Sequence, residues 1–222
     1  MTRDDITAAA FRAVERDELD ALTMRGLARE LGVTAMALYA HVENKDEILD
    51  EIIDRVLRDV GVADVDDGGD WKAWMVETTE RLQRVLVRYP ALLDRYCRRP
   101  VGVPAALERM EAVLDVLRRA GFDDRRCIAA YATIQTYTLG FAALETARQR
   151  GLRQVPARAV VELTEASPFY WPTLFASLPA SEYPNLVRLS PDLTSFTTDA
   201  QFHDGLLAIL DGLESERSLE QS

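Results

Sequence analysis

The stretch LTMRGLARELGVTAMALYAHVENKDEIL, residues 22–49, decides the fold. Its apolar residues recur every three or four positions, the spacing of one helix face. Leu27, Ala28 and Leu31 share such a face, and Thr23 stands ahead of them as an N-cap. Gly32 ends the run, because glycine tolerates the backbone of a tight turn. Thr34 caps a second, shorter run whose inner side is Leu38 and Val42. Val33 fills the angle between the two, and the small Ala28 lets them approach closely. Asn44 caps a further helix, with Glu47 three residues on as in a capping box. Two short helices joined through a glycine, with their inner faces fixed in this way, form a helix-turn-helix over residues 23–42. The second helix then presents Thr34, Ala35, Met36, Ala37 and Tyr39 outward.

Helical spacing continues on both sides. Ile6, Ala10, Ala13 and Val14 mark a first helix over about 3–18. Ile48, Leu49, Ile52, Ile53, Val56, Leu57 and Val60 mark the fourth. Residues 61–69, GVADVDDGG, lack apolar periodicity and form a boundary. Asp70 caps a fifth helix, and a short sixth lies between Tyr89-Pro90 and Arg99-Pro100. A seventh runs from Pro104 to Ala120, stopped by Gly121. A long eighth opens at Asp123 or Asp124 and reaches about Gly151, and a ninth covers about 157–165. Five of the nine prolines fall within 166–198, which leaves only short helical pieces there. A last helix covers about 199–214, and the polar tail 214–222 is expected to fray. No strand alternation occurs. The expected fold is all-α, with about ten helices. It comprises an N-terminal three-helix helix-turn-helix domain, residues 1–46, a connecting helix, 47–60, and a helical body, 61–222.

The chain has 222 residues, 48% of them hydrophobic, and a net charge of −11. Phosphate contacts come largely from Lys and Arg, so the distribution of charge matters more than its sum. Residues 21–42 carry Arg25 and Arg29 against Glu30, a small positive excess in an acidic chain. No apolar run approaches the roughly 20 residues that span a bilayer. No basic-then-apolar leader opens the chain. A cytoplasmic protein with no membrane partner is expected. Cys97 and Cys127 stand in no CxxC or metal spacing and are expected to be free thiols. The only histidines are His41 and His203, and no Ser-His-Asp order, Cys-His pair, phosphate loop or metal spacing occurs. The chain is therefore not expected to be an enzyme, nor to hold a metal or cofactor.

A recognition helix touches base edges with its N-terminal residues. Ala35, Met36 and Ala37 can touch thymine methyls but offer no side-chain hydrogen bond to a base. Arg25 suits a bidentate contact to guanine, or else a phosphate or an intramolecular salt bridge. Thr23, Tyr39, His41 and Lys45 carry donors suited to phosphates. The N–H groups opening the fourth helix, beside Lys45, add an anion site.

These residues resemble the DNA-binding domain of the tetracycline-repressor (TetR) family. The matching pieces are Thr23, Leu27-Ala28, LGV at 31–33 and LYxHVxNK at 38–45, within a likeness covering about 3–60. The resemblance implies that Tyr39, His41 and Lys45 hold the DNA backbone, while Arg25 and Thr34–Ala37 face bases. The apolar first turn of the recognition helix departs from better-known relatives. The body resembles the family's tetracycline-repressor-like subgroup more weakly. Its matching pieces are Trp71, Tyr89-Pro90, Arg99-Pro100, LRRAGF at 117–122, LGF at 139–141 and GLLAILDGLE at 205–214.

That likeness implies a homodimer on a palindromic operator, released by a small molecule bound in the body. The eighth helix, through Ala142, Ala143, Leu144 and Ala147, and the last helix are the expected dimer interface. Trp74, Thr78, Leu82, Tyr96, Met110, Leu114, Tyr131, Gln135, Thr138, Phe169 and Trp171 mix aromatic surface with a few polar groups, as pockets do. The same residues also suit a plain core. Gln135 and Thr138 are the more telling pair, because buried polar groups need partners. Tetracycline-binding members hold the metal-bound drug with a histidine shortly before the Arg-Pro pair. Here that place falls at Arg95, and no histidine lies between His41 and His203. The expected effector is hydrophobic or aromatic rather than a magnesium–tetracycline complex. The alternative is a helical small-molecule-binding or scaffold protein that binds no operator.

Overall fold

The computed structural model describes residues 2–15, 23–64, 69–153, 174–192 and 199–220. Among these residues the regular element is the helix, and no strand occurs, as the spacing predicts.

The head comprises α1 (Arg3–Glu15), α2 (Met24–Glu30) and α3 (Ala35–Tyr39), and α4 (Lys45–Val60) follows it. Each of the three expected caps forms. Thr23 Oγ1 accepts from Gly26 N at 3.0 Å, Thr34 Oγ1 from Ala37 N at 3.2 Å, and Asn44 Oδ1 from Glu47 N at 3.0 Å. Gly32 has φ +67, and Val33 N donates to Ala28 O at 2.9 Å, which closes α2 on its own carbonyls. A Cβ at Gly32 would meet nothing within 4 Å, so the left-handed backbone alone selects glycine. Ile6, Ala9 and Ala10 of α1, Leu27, Leu38, and Ile48 and Ile52 of α4 are all buried together.

The body begins with α5 (Trp71–Arg88) and α6 (Pro90–Arg98), continues with α7 (Pro104–Arg119) and α8 (Asp124–Arg153), and ends with α9 (Pro184–Leu189) and α10 (Asp199–Glu220). The core of the head runs without a break into the body through α4. Leu49, Ile53, Val56 and Leu57 share one buried cluster with Leu86, Leu92, Tyr96 and Ala106. The chain divides into two compact units, Met1–Ala143 with Leu207–Ser222, and Leu144–Leu206. In the second unit, the buried Glu145 accepts from Arg148 at 2.7 and 2.9 Å and from Gln149 at 2.8 Å.

Three expectations change. The last helix does not fray at 214 but runs to Glu220. Lys72 Nζ donates to Asp211 at 3.0 Å and to Glu214 at 2.5 Å, and Arg217 donates to the Ala120 carbonyl. These ties hold the polar tail where hydrophobic spacing alone gives no signal. Ala142, expected in an intersubunit face, is fully buried in the protomer core. By length and composition α8 could cross a bilayer over Asp124–Gln149, against the expectation that no such stretch occurs. Yet Cys127, Ala130, Ile134, Thr138 and Phe141 form a buried stripe at helical spacing, the pattern of a helix packed on protein. The ninth helix expected at 157–165 lies outside the described residues.

Candidate nucleic-acid interface and effector cavity

The sequence-predicted reading surface is exposed. Leu38 anchors α3 from behind, and Ala35 packs partly against the core. Met36 is 80% exposed and Tyr39 53%, although both are large enough to be buried. Thr34, Arg25 and His41 are exposed, and Ala37 and Lys45 half-buried. The capping hydroxyls of Thr23 and Thr34 accept from their own helices, and each keeps its O–H to donate. Among the described residues, Arg25, Arg29 and Lys45 form no ion pair, whereas the neighbouring Arg12 pairs with Glu30 at 3.2 Å. Among the described residues, the intramolecular salt bridge expected as an alternative for Arg25 has no acidic partner. The N-terminus of α4 is less open than the sequence suggests. Glu47 accepts from Glu43 N at 2.6 Å and Asn44 accepts from Glu47 N, which takes two of the N–H groups at this helix start.

In the body, a cavity of about 20 Å³ lies between α5, α7 and α8. That is room for about one water. Its lining includes Leu82, Tyr131, Gln135 and Thr138, four of the sequence-predicted residues. It also includes Thr79, Arg109, Val113 and Ile134, which sequence reasoning missed. Tyr96 is buried beside this group and joined to it, because Gln135 Nε2 donates to its hydroxyl at 3.4 Å. The Thr138 hydroxyl donates to Ile134 O at 2.7 Å, within its own helix. Both polar groups singled out on α8 thus have protein partners. Trp74 and Thr78 do not line the cavity. Trp74 Nε1 donates to Ala63 O at 2.8 Å, and Ala63 N donates to Thr78 Oγ1 at 2.9 Å, so the pair fixes the segment entering α5. Met110 and Leu114 are half-buried on α7 and do not line the cavity either. Phe169 and Trp171 lie outside the described residues.

Arg109 is the main omission. It is buried, its Nη1 donates to Gly61 O at 2.9 Å, and its other terminal nitrogen donates to Thr78 O. Among the described residues no carboxylate pairs with it. Burial pushes its pKa down to about 10. Burial also pushes the Tyr131 phenol up to about 12 and raises that of Tyr96. The sequence does carry a signal for Arg109. It stands in the middle of the buried stripe Ala105, Ala106, Val113, Val116 and Leu117, a lone charge on an apolar face.

Arg95, at the place where tetracycline-binding members carry a histidine, points toward α4 instead. Its Nε and Nη2 grip Asp50 at 2.7 and 2.6 Å, and its Nη1 meets Asp46 at 3.2 Å. A wider concavity of about 480 Å³ between α1, α4 and the loop before α7 is lined by Asp50, Asp54, Glu47 and Glu51 with Arg3 and Arg58. It is an open polar groove, unlike an apolar ligand pocket. Cys97 is exposed, Cys127 is buried, both are free, and burial raises both thiol pKa values. Among the described residues, no group of three or more His, Cys, Asp or Glu could hold a metal.

A capped helix-turn-helix with outward cations, joined by one helix to a helical body, defines a regulator that reads DNA and senses a ligand. Comparison with known proteins gives the family. The family model described as bacterial regulatory proteins, tetR family, matches residues 6–52. That described as the Tetracyclin repressor-like, C-terminal domain matches residues 65–217. The chain is 34% identical to the transcriptional repressor DrrR1 of Streptomyces coeruleorubidus over 219 residues, 96% of this chain and 77% of that one. It is 30% identical to the class A tetracycline repressor protein of Escherichia coli over 96% of this chain and 90% of that one. The crystal structure of Streptomyces coelicolor ActR with actinorhodin superposes at a TM-score of 0.81 and 31% identity, covering 98% of both chains. The chain belongs to the tetR family of bacterial regulatory proteins. It is a transcriptional regulator and not an enzyme.

Proposed function

We propose that the chain is a cytoplasmic, homodimeric repressor that leaves a palindromic operator when an aromatic effector opens its body. The observation that carries this is α4. One of its faces is buried with the helix-turn-helix, the other with the body, and its C-terminal Gly61 is held by the cavity residue Arg109. A change at the cavity therefore reaches the reading helix through one rigid element. In this reading residues 1–46 form the head, 47–60 connect, and 61–222 bind effector and partner. Thr23, Tyr39, His41 and Lys45 hold phosphates, and Arg25 with Thr34–Ala37 faces bases. The complex of ActR with actinorhodin supports a small-molecule effector, and Tyr131 and Tyr96 at the cavity support its aromatic class. A cavity of about 20 Å³ admits no such molecule as it stands, so the effector must favour an opened state. Effector and DNA then weaken each other's binding by one common factor.

The test is selection of duplexes from a random pool by the purified protein, followed by binding of the selected site by variants. An enriched palindrome, bound at least about tenfold less tightly after Tyr39→Ala or Lys45→Ala, supports the reading. No enrichment, or binding untouched by both substitutions, favours the scaffold alternative.

A further inference from the structure

Arg109 presents an electrostatic problem within the described body. A guanidinium buried without a counter-ion carries a desolvation cost that neutral hydrogen bonds only partly offset. The Gly61 and Thr78 carbonyls occupy two of its five N–H groups and bring no negative charge. Arg81, of like sign, acts on Arg109 through its field and also disfavours the proton there. Arg81 already has its partners, Glu77 and the Val62 carbonyl at 2.9 Å. The other groups at the cavity are neutral. They are the donors and acceptors of Tyr131, Gln135 and Tyr96 and the apolar sides of Leu82, Val113 and Ile134. One uncompensated positive charge, two phenols and an aliphatic wall are complementary to an apolar ring system that carries one anionic oxygen.

We propose that the effector is recognised as an anion, an aromatic carboxylate or acidic phenol, with Arg109 as the counter-ion that selects it. This rests on the reading of the cavity as the effector site and names the class of ligand. The apolar skeleton supplies contact with Leu82, Val113 and Ile134, and Tyr131 and Gln135 donate to oxygens the guanidinium does not reach. The neutral ester or amide of the same skeleton leaves Arg109 as it was and binds more weakly.

Two fluorescent probes with one skeleton separate the parts of this claim. 1-Anilinonaphthalene-8-sulfonate is an anion, and N-phenyl-1-naphthylamine is its neutral, more apolar parent. Titrated into the full-length protein, the sulfonate is expected to bind at least about tenfold more tightly than the amine, against the trend in apolarity. Arg109→Gln is expected to erase that preference, read as the ratio of the two affinities within the one variant, and Arg109→Lys to keep part of it. Arg109→Met replaces the glutamine variant if a thermal melt shows the latter unfolded. Equal affinities in the unaltered protein, or a preference undiminished once the charge is removed, overturn the anion claim and leave the cavity reading standing. Binding of neither probe overturns both.

Discussion

At the residue scale, the reading head works by leaving groups unsatisfied inside the protomer. Lys45 and Arg25 have no acidic partner among the described residues, in a chain of net charge −11, whereas Arg3, Arg12, Arg58, Lys72, Arg81 and Arg95 each pair with an acid. A cation without a partner keeps its full attraction for phosphate. Lys45→Ala is therefore expected to weaken operator binding about equally across sequences and to lower the slope of log affinity against log salt by about 1. A salt titration of both proteins checks this, and an unchanged slope removes Lys45 from the clamp. Most of this surface was legible in the sequence, because caps and apolar spacing fix which side of a short helix is inside. Arg109 was not read, because periodicity locates a buried face and says nothing about which of its side chains meet at a cavity. The small volume of that cavity was equally invisible, since it depends on how α5, α7 and α8 close on one another.

At the element scale, the question is what holds α4 in place between head and body. Arg95 of α6 grips Asp50 of α4 with two parallel hydrogen bonds, and its side chain is 9% exposed. The Asp50 hydrogen bonds are the main cause that raises the pKa of Arg95. Arg95→Ala is expected to cost about 2–3 kcal/mol in chemical denaturation, because a charged, part-buried pair loses one member. Asp50→Asn in the same background should add less than it does alone, and full additivity would show that the pair does not couple. Acid acts on two further ties. Glu47 is held below its ordinary pKa of 4.5, first by the Glu43 N–H and then by Arg3. Glu214 is lowered, first by the Lys72 ammonium. A carboxyl whose folded pKa is depressed contributes stability that is complete above the unfolded value and lost as pH falls through the folded one. Both contributions are thus constant at neutral pH and fade below about 4.5. Melting temperatures followed from pH 7 to pH 3 should drop less for Glu47→Gln and Glu214→Gln than for the unaltered chain. Identical pH profiles would mean that neither tie matters. The Glu214 tie also marks where spacing misled. The helix past residue 214 is kept by a lysine 142 positions away, a pairing no local pattern contains.

At the scale of the whole molecule, one short reading helix of five residues is too small to specify an operator alone. Dimers overcome this by reading two half-sites about one helical turn, or a multiple of one, apart. The protomer carries a face suited to that on α8. Leu144, 64% exposed, shares a helix face with Thr136, Gly140, Ala143 and Ala147, all exposed and mostly small. Small residues let a second helix approach closely, and large apolar ones left in water gain most from being covered. The acidic chain makes the coupling strict, because a monomer of net charge −11 has little non-specific DNA affinity to fall back on. Leu144→Arg places one charge on each protomer at such a seam, where the two meet their like. It is expected to convert the dimer to a monomer in sedimentation equilibrium and to lower operator affinity by at least about a hundredfold, while the fold of the protomer, measured by helix content, is kept. A Leu144→Arg protein that stays dimeric moves the interface off this stretch of α8. One that becomes monomeric yet still binds the full palindrome tightly would separate operator recognition from dimerisation and leave the head to act alone.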